Sequence, residues 1–329
     1  EIFTVNGQRH TLGAIFAIGH QQPLEMGAPP VAPIANQVRQ QGGLLELDKH
    51  NWPWSMMLVP IMKVDLYELT NNHLWRTDFH FRKFGASPPD YMHIERDERG
   101  MTESGWIQFT LQNYYALLNC GFRLRPTAGT ASGVHPVPLG FGRVYVHLER
   151  KFSYEQWLEG LNQGRSFVTT GPMTMVQADG LWPGKTFVRG SGNGKVTLSG
   201  SIRSQRPLSH IEIVVNGEVV QEILPANQRD SNSGYEFKLK TSYSAEQSYW
   251  IAVRCFESTD QGRVRFAHTG PWYVEIPNRP IRPRKVEVQY LIGRMEEELM
   301  RHQGVLTEVD LAEYQRALQQ YREIAKTAR

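Results

Sequence analysis

The segment Gly42-Gly43-Leu44-Leu45-Glu46-Leu47-Asp48-Lys49-His50-Asn51-Trp52-Pro53 carries an imidazole at the end of a short, largely apolar run. A glycine pair, a stretch fit for a buried strand and a Trp-Pro bend place His50 where strand gives way to loop. Open α/β sheets and α/β barrels build their active sites at such places. Histidine is the commonest side-chain metal ligand and a frequent proton carrier. Eight of the eleven histidines fall within the first 147 residues, so the front of the chain is where chemistry is expected. A packing role against Trp52 and Trp54 is the alternative reading of His50.

Three further constellations carry reactive groups. Glu1, His10 and His20 offer a carboxylate and imidazoles across a probable strand and turn, a set that zinc, manganese or iron accepts. Val64 to His73 reads as a strand ending in Glu68, Asn71 and His73, suited to orienting a ligand or holding substrate. Arg125 to Pro136 is rich in small residues around His135, and its backbone N–H groups suit an anion or oxyanion. The segment from His73 to Glu103 has the composition of a lid, with Arg76 and Arg82 as candidate anion contacts. No Gly-x-Ser-x-Gly, P-loop, Gly-x-Gly-x-x-Gly or Cys-x-x-Cys occurs, which removes the common serine-hydrolase, nucleotide and dithiol signatures. A glycosidase reading needs two carboxylates facing each other, with Glu46, Asp48 and Glu68 as candidates.

The elements that must position these groups fall into two rhythms. Residues 1–172 alternate strands and helices. A helix is expected over Val31–Gln41, with Pro33 in its first turn and Gly42-Gly43 ending it. Strands are expected at Leu44–Leu47, Lys63–Leu69 and Gly142–Leu148, and a helix over Ile107–Asn119. Ser153-Tyr154-Glu155-Gln156 is a capping box opening a further helix. From 173 to 278 apolar residues recur at even spacing, with Asn216-Gly217 as a hairpin turn, and a β-sandwich is expected. Residues 279–329 read as a basic, proline-rich linker and a helical hairpin capped at Thr307.

The chain has 329 residues, 40% hydrophobic and 21% charged, with a net charge of +3, as expected of a globular protein of more than one domain. That charge supports neither nucleic acid nor an anionic membrane as partner. The longest apolar run, Met56–Met62, is far too short to span a bilayer. Cys120 and Cys255 are expected as buried, unpaired residues. The chain opens in mid-pattern at Glu1 with Ile2-Phe3-Thr4-Val5 already strand-like, and a preceding segment is expected. The compartment stays open, and a secretory route would require a signal in that segment.

Taken together, these residues resemble the PHP-type metallohydrolases, in particular the carbaryl-hydrolase-like CehA/McbA group. Glu1 followed by His10 is similar to that family's strand-end glutamate and later histidine. Gly42-Gly43 through His50 resembles its glycine pair, apolar run and histidine. Val64 through Asn71 resembles a strand ending Glu-x-x-Asn. Tyr115–Gly121 with Thr127-Ala128-Gly129, and above all Gly164-Arg165-Ser166-Phe167-Val168-Thr169-Thr170-Gly171-Pro172, complete the likeness. The resemblance implies the C-terminal part of a distorted β/α barrel, followed by the sandwich and the helical hairpin. It implies divalent zinc, manganese or iron on Glu1, His10 and His50, with Glu68 and Asn71 near the site; the residues themselves add His20 as a candidate ligand and Glu68, His73 and His135 as catalytic candidates. The expected reaction is attack of metal-activated water on an ester, amide, carbamate or phosphoester of a small-molecule substrate. The pattern departs in two places. No His-x-His occurs, so the first barrel strands are expected from a missing N-terminal segment or another chain. Ala131 and Gly133 stand where a late Asp-x-His pair would fall, which leaves open a non-catalytic binding or surface protein on a degenerate scaffold.

Overall fold

A computed structural model describes residues 2–5, 8–25, 27–52, 54–71, 74, 88–130, 137–229, 234–258 and 263–329, with residues 2–5 and 8–11 described by their backbone alone. The architecture is mixed α/β, with several sheets and two C-terminal helices. The described residues contain no closed barrel; the strands leading to the site form an open sheet. The chain divides into two compact units. One comprises residues 1–68, 77–124 and 282–329, the other residues 69–76 and 125–281.

In the first unit β1 (Ile2–Val5) and β2 (Gln8–Thr11) pair antiparallel, with Phe3 opposite His10. β3 (Ile15–Ile18) follows, then α1 (Ala32–Gln40), with Pro33 in its first turn. Gly42, at φ +73°, ends the helix in the left-handed region that glycine tolerates. Gly43 is needed for close packing: a Cβ there would lie 2.9 Å from Val38 Cγ1 and 3.0 Å from Ile18 O. β4 (Leu44–Leu47) runs antiparallel to β3 and parallel to β5 (Leu66–Thr70), with Leu47 opposite Tyr67. Every residue of β4 and β5 is buried. A strand covered on both faces reads as an apolar run instead of an alternation.

The run Met56–Met62 forms α2 (Ser55–Leu58) and the π-helical turn Val59–Lys63 that continues it. After the short pair β6 (Arg96–Asp97) and β7 (Gly100–Met101) comes α3 (Glu103–Asn119). This helix begins one turn before the apolar stripe at Ile107, because Thr102 Oγ1 accepts the Gly105 N–H at 3.0 Å.

The second unit holds β8 (Arg125–Ala128), β9 (Arg143–Val146), α4 (Tyr154–Asn162), β10 (Ser166–Thr169), β11 (Met173–Ala178) and β12 (Thr186–Val188). It continues with β13 (Gly194–Ser204), β14 (Leu208–Val215), β15 (Glu218–Ile223), β16 (Gln228–Arg229), β17 (Tyr235–Ala245), β18 (Tyr249–Glu257), β19 (Phe266–Thr269) and β20 (Trp272–Glu275). The larger sheet has the order β12-β20-β18-β19-β10-β9, with β14 also on β18 and β15 on β14. The smaller sheet has the order β11-β13-β17-β16. Val176, Val196, Leu198 and Leu239 of the smaller sheet share one core with Ile211, Ile251, Val253 and Trp272 of the larger, so the two pack face to face. Asn216 and Gly217, at φ +49° and +87°, make the hairpin between β14 and β15.

The residues 143–169 share the rhythm of the front half, yet β10 pairs with β19, Phe167 opposite Thr269. The string Gly164–Pro172 has a local structural role in carrying the chain from one sheet to the other. Thr169 Oγ1 donates to Pro172 O at 2.6 Å and accepts the Gly171 N–H at 2.9 Å. A Cβ on Gly171 would meet the Glu257 carboxylate at 2.7 Å. In α4, Ser153 Oγ accepts the Gln156 N–H at 3.2 Å, as the capping box requires.

The last two helices return to the first unit as α5 (Lys285–His302) and α6 (Glu308–Ala325). Three buried polar contacts dock them. Glu313 accepts the Val31 and Ala32 N–H groups at 2.7 and 2.9 Å, capping α1, which has no side-chain cap of its own. Asn119 Nδ2 donates to Glu287 Oε1 at 3.0 Å, and Tyr321 OH donates to Met56 O at 2.7 Å. Cys120 and Cys255 are both free thiols. No helix among the described residues is long and apolar enough to cross a membrane.

Candidate functional site

β4 ends at Leu47 and releases Asp48, Lys49, His50 and Asn51, all buried. The turn that follows is tied from both sides. Ser55 Oγ donates to Lys49 O, Trp52 N–H donates to Lys49 O at 3.3 Å, and Arg294 of α5 reaches Trp52 O at 3.4 Å. Asp65 sets the start of the neighbouring strand: its N–H donates to Leu45 O at 2.9 Å and its carboxylate accepts the Leu45 N–H at 3.0 Å. The carboxyl ends of two parallel strands thus present ionisable groups side by side, the place where open α/β sheets bind ligands.

His50 lies in an aromatic cage. Its ring centroid is 4.7 Å from Phe109, edge on, 4.9 Å from Trp106 and 6.4 Å from Tyr67. Trp106, Phe109 and Thr110 lie on one face of α3, at helical spacing. Thr110 Oγ1 stands 3.4 Å from His50 Nδ1, while Nε2 is buried with no partner. Burial pushes the imidazole down to about 3, aided by the charges of Arg294 and Lys49. The ring is neutral at physiological pH.

Glu68 sits on β5 beside the turn. Burial raises its carboxyl well above the usual range, and the Asp48 charge and a hydrogen bond with Asp48 raise it further. Lys49 opposes that shift and Glu46 adds to it. Glu68 Oε2 is buried without a partner. Lys49 Nζ lies 2.6 Å from both Asp48 oxygens and 4.8 Å from the centre of the Trp52 ring. Burial thus favours the protonated form of Glu68, beside the Asp48–Lys49 pair. Tyr67 and Glu68 are successive on a strand and point to opposite faces. His50 lies with Tyr67 on the α3 side, and Asp48 lies with Glu68 on the other.

Of the residues singled out in the sequence, this brings His50 and Glu68 to adjacent strand ends. His20 is exposed, beyond the end of β3. His10 is on β2, within the part described by backbone alone, and Asn71 is buried just past β5. Glu1, His73, His135, Arg76, Arg82, Ala131 and Gly133 lie outside the described residues. The rings found around His50 are Tyr67, Trp106 and Phe109. Asp48 and Glu68 are hydrogen-bonded, closer than the roughly 5–9.5 Å that a glycosidase's carboxyl pair requires. The reading of the residues missed Lys49 and Arg294. For Lys49 the signal was a charged residue directly after a strand with no exposed face; nothing local pointed to Arg294.

Among the described residues no three His, Cys, Asp or Glu side chains gather around a common point as metal ligands. The described donors therefore do not make a metal centre by themselves, and Lys49 already supplies Asp48 with a cation. No protein-family model matches the chain, and neither the curated proteins nor the solved structures contain a match to it.

Proposed function

We propose that the protein is a metal-dependent hydrolase of the PHP type, acting on an ester, amide, carbamate or phosphoester. Its centre would be the carboxyl ends of β4 and β5. One observation carries the reading: past the end of β4, on the α3 side, His50 Nε2 is buried without a partner, as Glu68 Oε2 is on the other side of β5. Leaving such a group unsatisfied costs about 1–3 kcal/mol, and sites that bind or react are where proteins bear that cost. A bound divalent ion would supply an activated water. The chain's own part is to hold His50 neutral, keep a proton on Glu68 and fix Asp48 with Lys49.

The purified protein, incubated with zinc or manganese, should carry about one or more equivalents of metal. His50→Ala should lose the metal together with hydrolysis of model esters. Metal and activity that survive in His50→Ala refute the assignment. The second reading, a non-catalytic binding or surface protein, is favoured by the Lys49 ammonium standing against Asp48 where a metal would compete. A wild-type protein that takes up no metal under these conditions selects it.

A further inference from the structure

The outward positions of β13 and β17, the two central strands of the smaller sheet, carry hydroxyl and cationic groups that the proposed hydrolysis does not use, with Met173, Met175 and Gln177 of β11 beside them on the same face. Strand alternation decides this composition. Val196, Leu198 and Ile202 of β13 and Leu239 of β17 point into the core, so their strand neighbours point away from it. Across the two central strands Thr197 stands opposite Ser242, Ser199 opposite Lys240 and Ser201 opposite Lys238. Lys195 and Arg203 bracket the rows on β13, opposite Ser244 and Glu236. Lys195, Arg203, Lys238 and Lys240 are all exposed.

On these two strands the four cations face a single carboxylate. Glu236 bonds Arg203 at 2.9 Å and Lys238 at 2.7 Å, which leaves Lys195 and Lys240 with no acid among the described residues. Asp179, beside Thr197, is taken by Arg189 at 2.8 Å. Spacings of about 4.8 Å between strands and 6.8 Å along them set these groups in a flat lattice. The outward positions of β13 and β17 carry no aromatic side chain. Nucleic-acid bases have no ring there on which to stack.

We propose that this face binds an acidic polysaccharide. Lys195, Arg203, Lys238 and Lys240 would take its carboxylate or sulfate groups, and the serine and threonine hydroxyls its hydroxyl groups. The proposal stands whether or not the protein is a hydrolase.

The test uses the whole chain and two polyanions, heparin for sulfate and polygalacturonate for carboxylate, with dextran as the uncharged control. At least one of the two should bind, more weakly as salt rises, and dextran should not. Lys238→Glu with Lys240→Glu should weaken that binding by about tenfold or more, at an unchanged melting temperature. Lys151→Glu with Lys185→Glu makes the same charge change at exposed positions elsewhere and should leave it nearly intact. Equal losses in the two double variants, binding of neither polysaccharide, or tighter binding to poly(U) or to phosphatidylserine vesicles would each overturn the proposal.

Discussion

His50 in the first unit and His268 in the second are equally sealed from water but unequally satisfied. Burial pushes both rings down to about 3. His268 Nδ1 meets Thr269 O at 2.6 Å, in a strand paired on both sides. His50 has a distant hydroxyl at one nitrogen and nothing at the other. The contrast extends to their surroundings. In the second unit three buried hydroxyls complete the backbone: Thr170 Oγ1 accepts from Phe266 N at 3.1 Å, Ser248 Oγ from Ile276 N at 2.8 Å, and Thr269 Oγ1 from Val253 N at 3.0 Å. At the ends of β4 and β5 Asp48, Lys49 and Glu68 meet one another's charges, and His50 Nε2 and Glu68 Oε2 meet no partner. Polar burial serves the fold in the sandwich and works against it at the strand ends, which is why the strand ends, and not the sandwich core, carry the functional reading.

The largest expected effect tests whether the strand-end charges are as costly as this contrast requires. Lys49→Met leaves the Asp48 carboxylate, with 4% of its side chain exposed, beside a carboxyl and without its ammonium. Breaking a buried pair on one side costs about 3–5 kcal/mol. Urea unfolding should show a loss of that order, and Asp48→Leu combined with Lys49→Met should recover most of it. A single variant that unfolds like the wild type would mean that water reaches Asp48 and that the strand ends are not dry.

Much of the scaffold around this pair was legible in the residues, because its signals are local. Pro33 and the glycine pair bound α1, Ser153 and Thr307 cap their helices, and Asn216-Gly217 closes its hairpin. Each of these acts within a few positions of the residue that carries it. β4 was readable as a buried strand for the same reason. What pairs with what was not legible. Asp48 meets Glu68 only through the parallel register of β4 on β5, and Arg294 reaches the His50 loop from a helix more than two hundred positions away. The segment 143–169 has the local rhythm of an α/β region, and the pairing of β10 with β19 places it in the sandwich unit all the same. The barrel implied by resemblance depended on such pairings too, and the described strands form open sheets.

A smaller effect distinguishes the two histidines by pH. Both have folded values near 3, below about 6.5 for an exposed ring. A lowered value means the stabilisation is whole above pH 6.5 and is lost as pH falls towards 3. At pH 5 each ring should cost about 2 kcal/mol relative to pH 7. His50→Gln and His268→Gln should each lessen the loss of stability between these values by about 2 kcal/mol. At pH 7 His268→Gln should be the more damaging, since it disturbs a bond to Thr269 O, whereas His50 leaves an unpartnered nitrogen. An unchanged acid slope in His50→Gln would show that this ring is not held neutral by burial.

The last effect has the opposite sign with pH. The Glu68 carboxyl is raised, so its stabilisation is whole below the ordinary carboxylate range and is lost as pH climbs towards its folded value. The substitution Glu68→Gln keeps a donor for Asp48 and removes the titrating proton. At pH 4 the variant should differ from wild type by no more than about 1 kcal/mol, the worth of one hydrogen bond. From pH 5 to pH 8 wild type should lose stability at this position while the variant does not, so the two unfolding midpoints should diverge in the variant's favour. Parallel profiles would mean that Glu68 is ionised in the folded protein, with Lys49 shared between two carboxylates. The strand ends would then resemble an ordinary ion-pair network, and the proton assigned to Glu68 would no longer be available to the proposed chemistry.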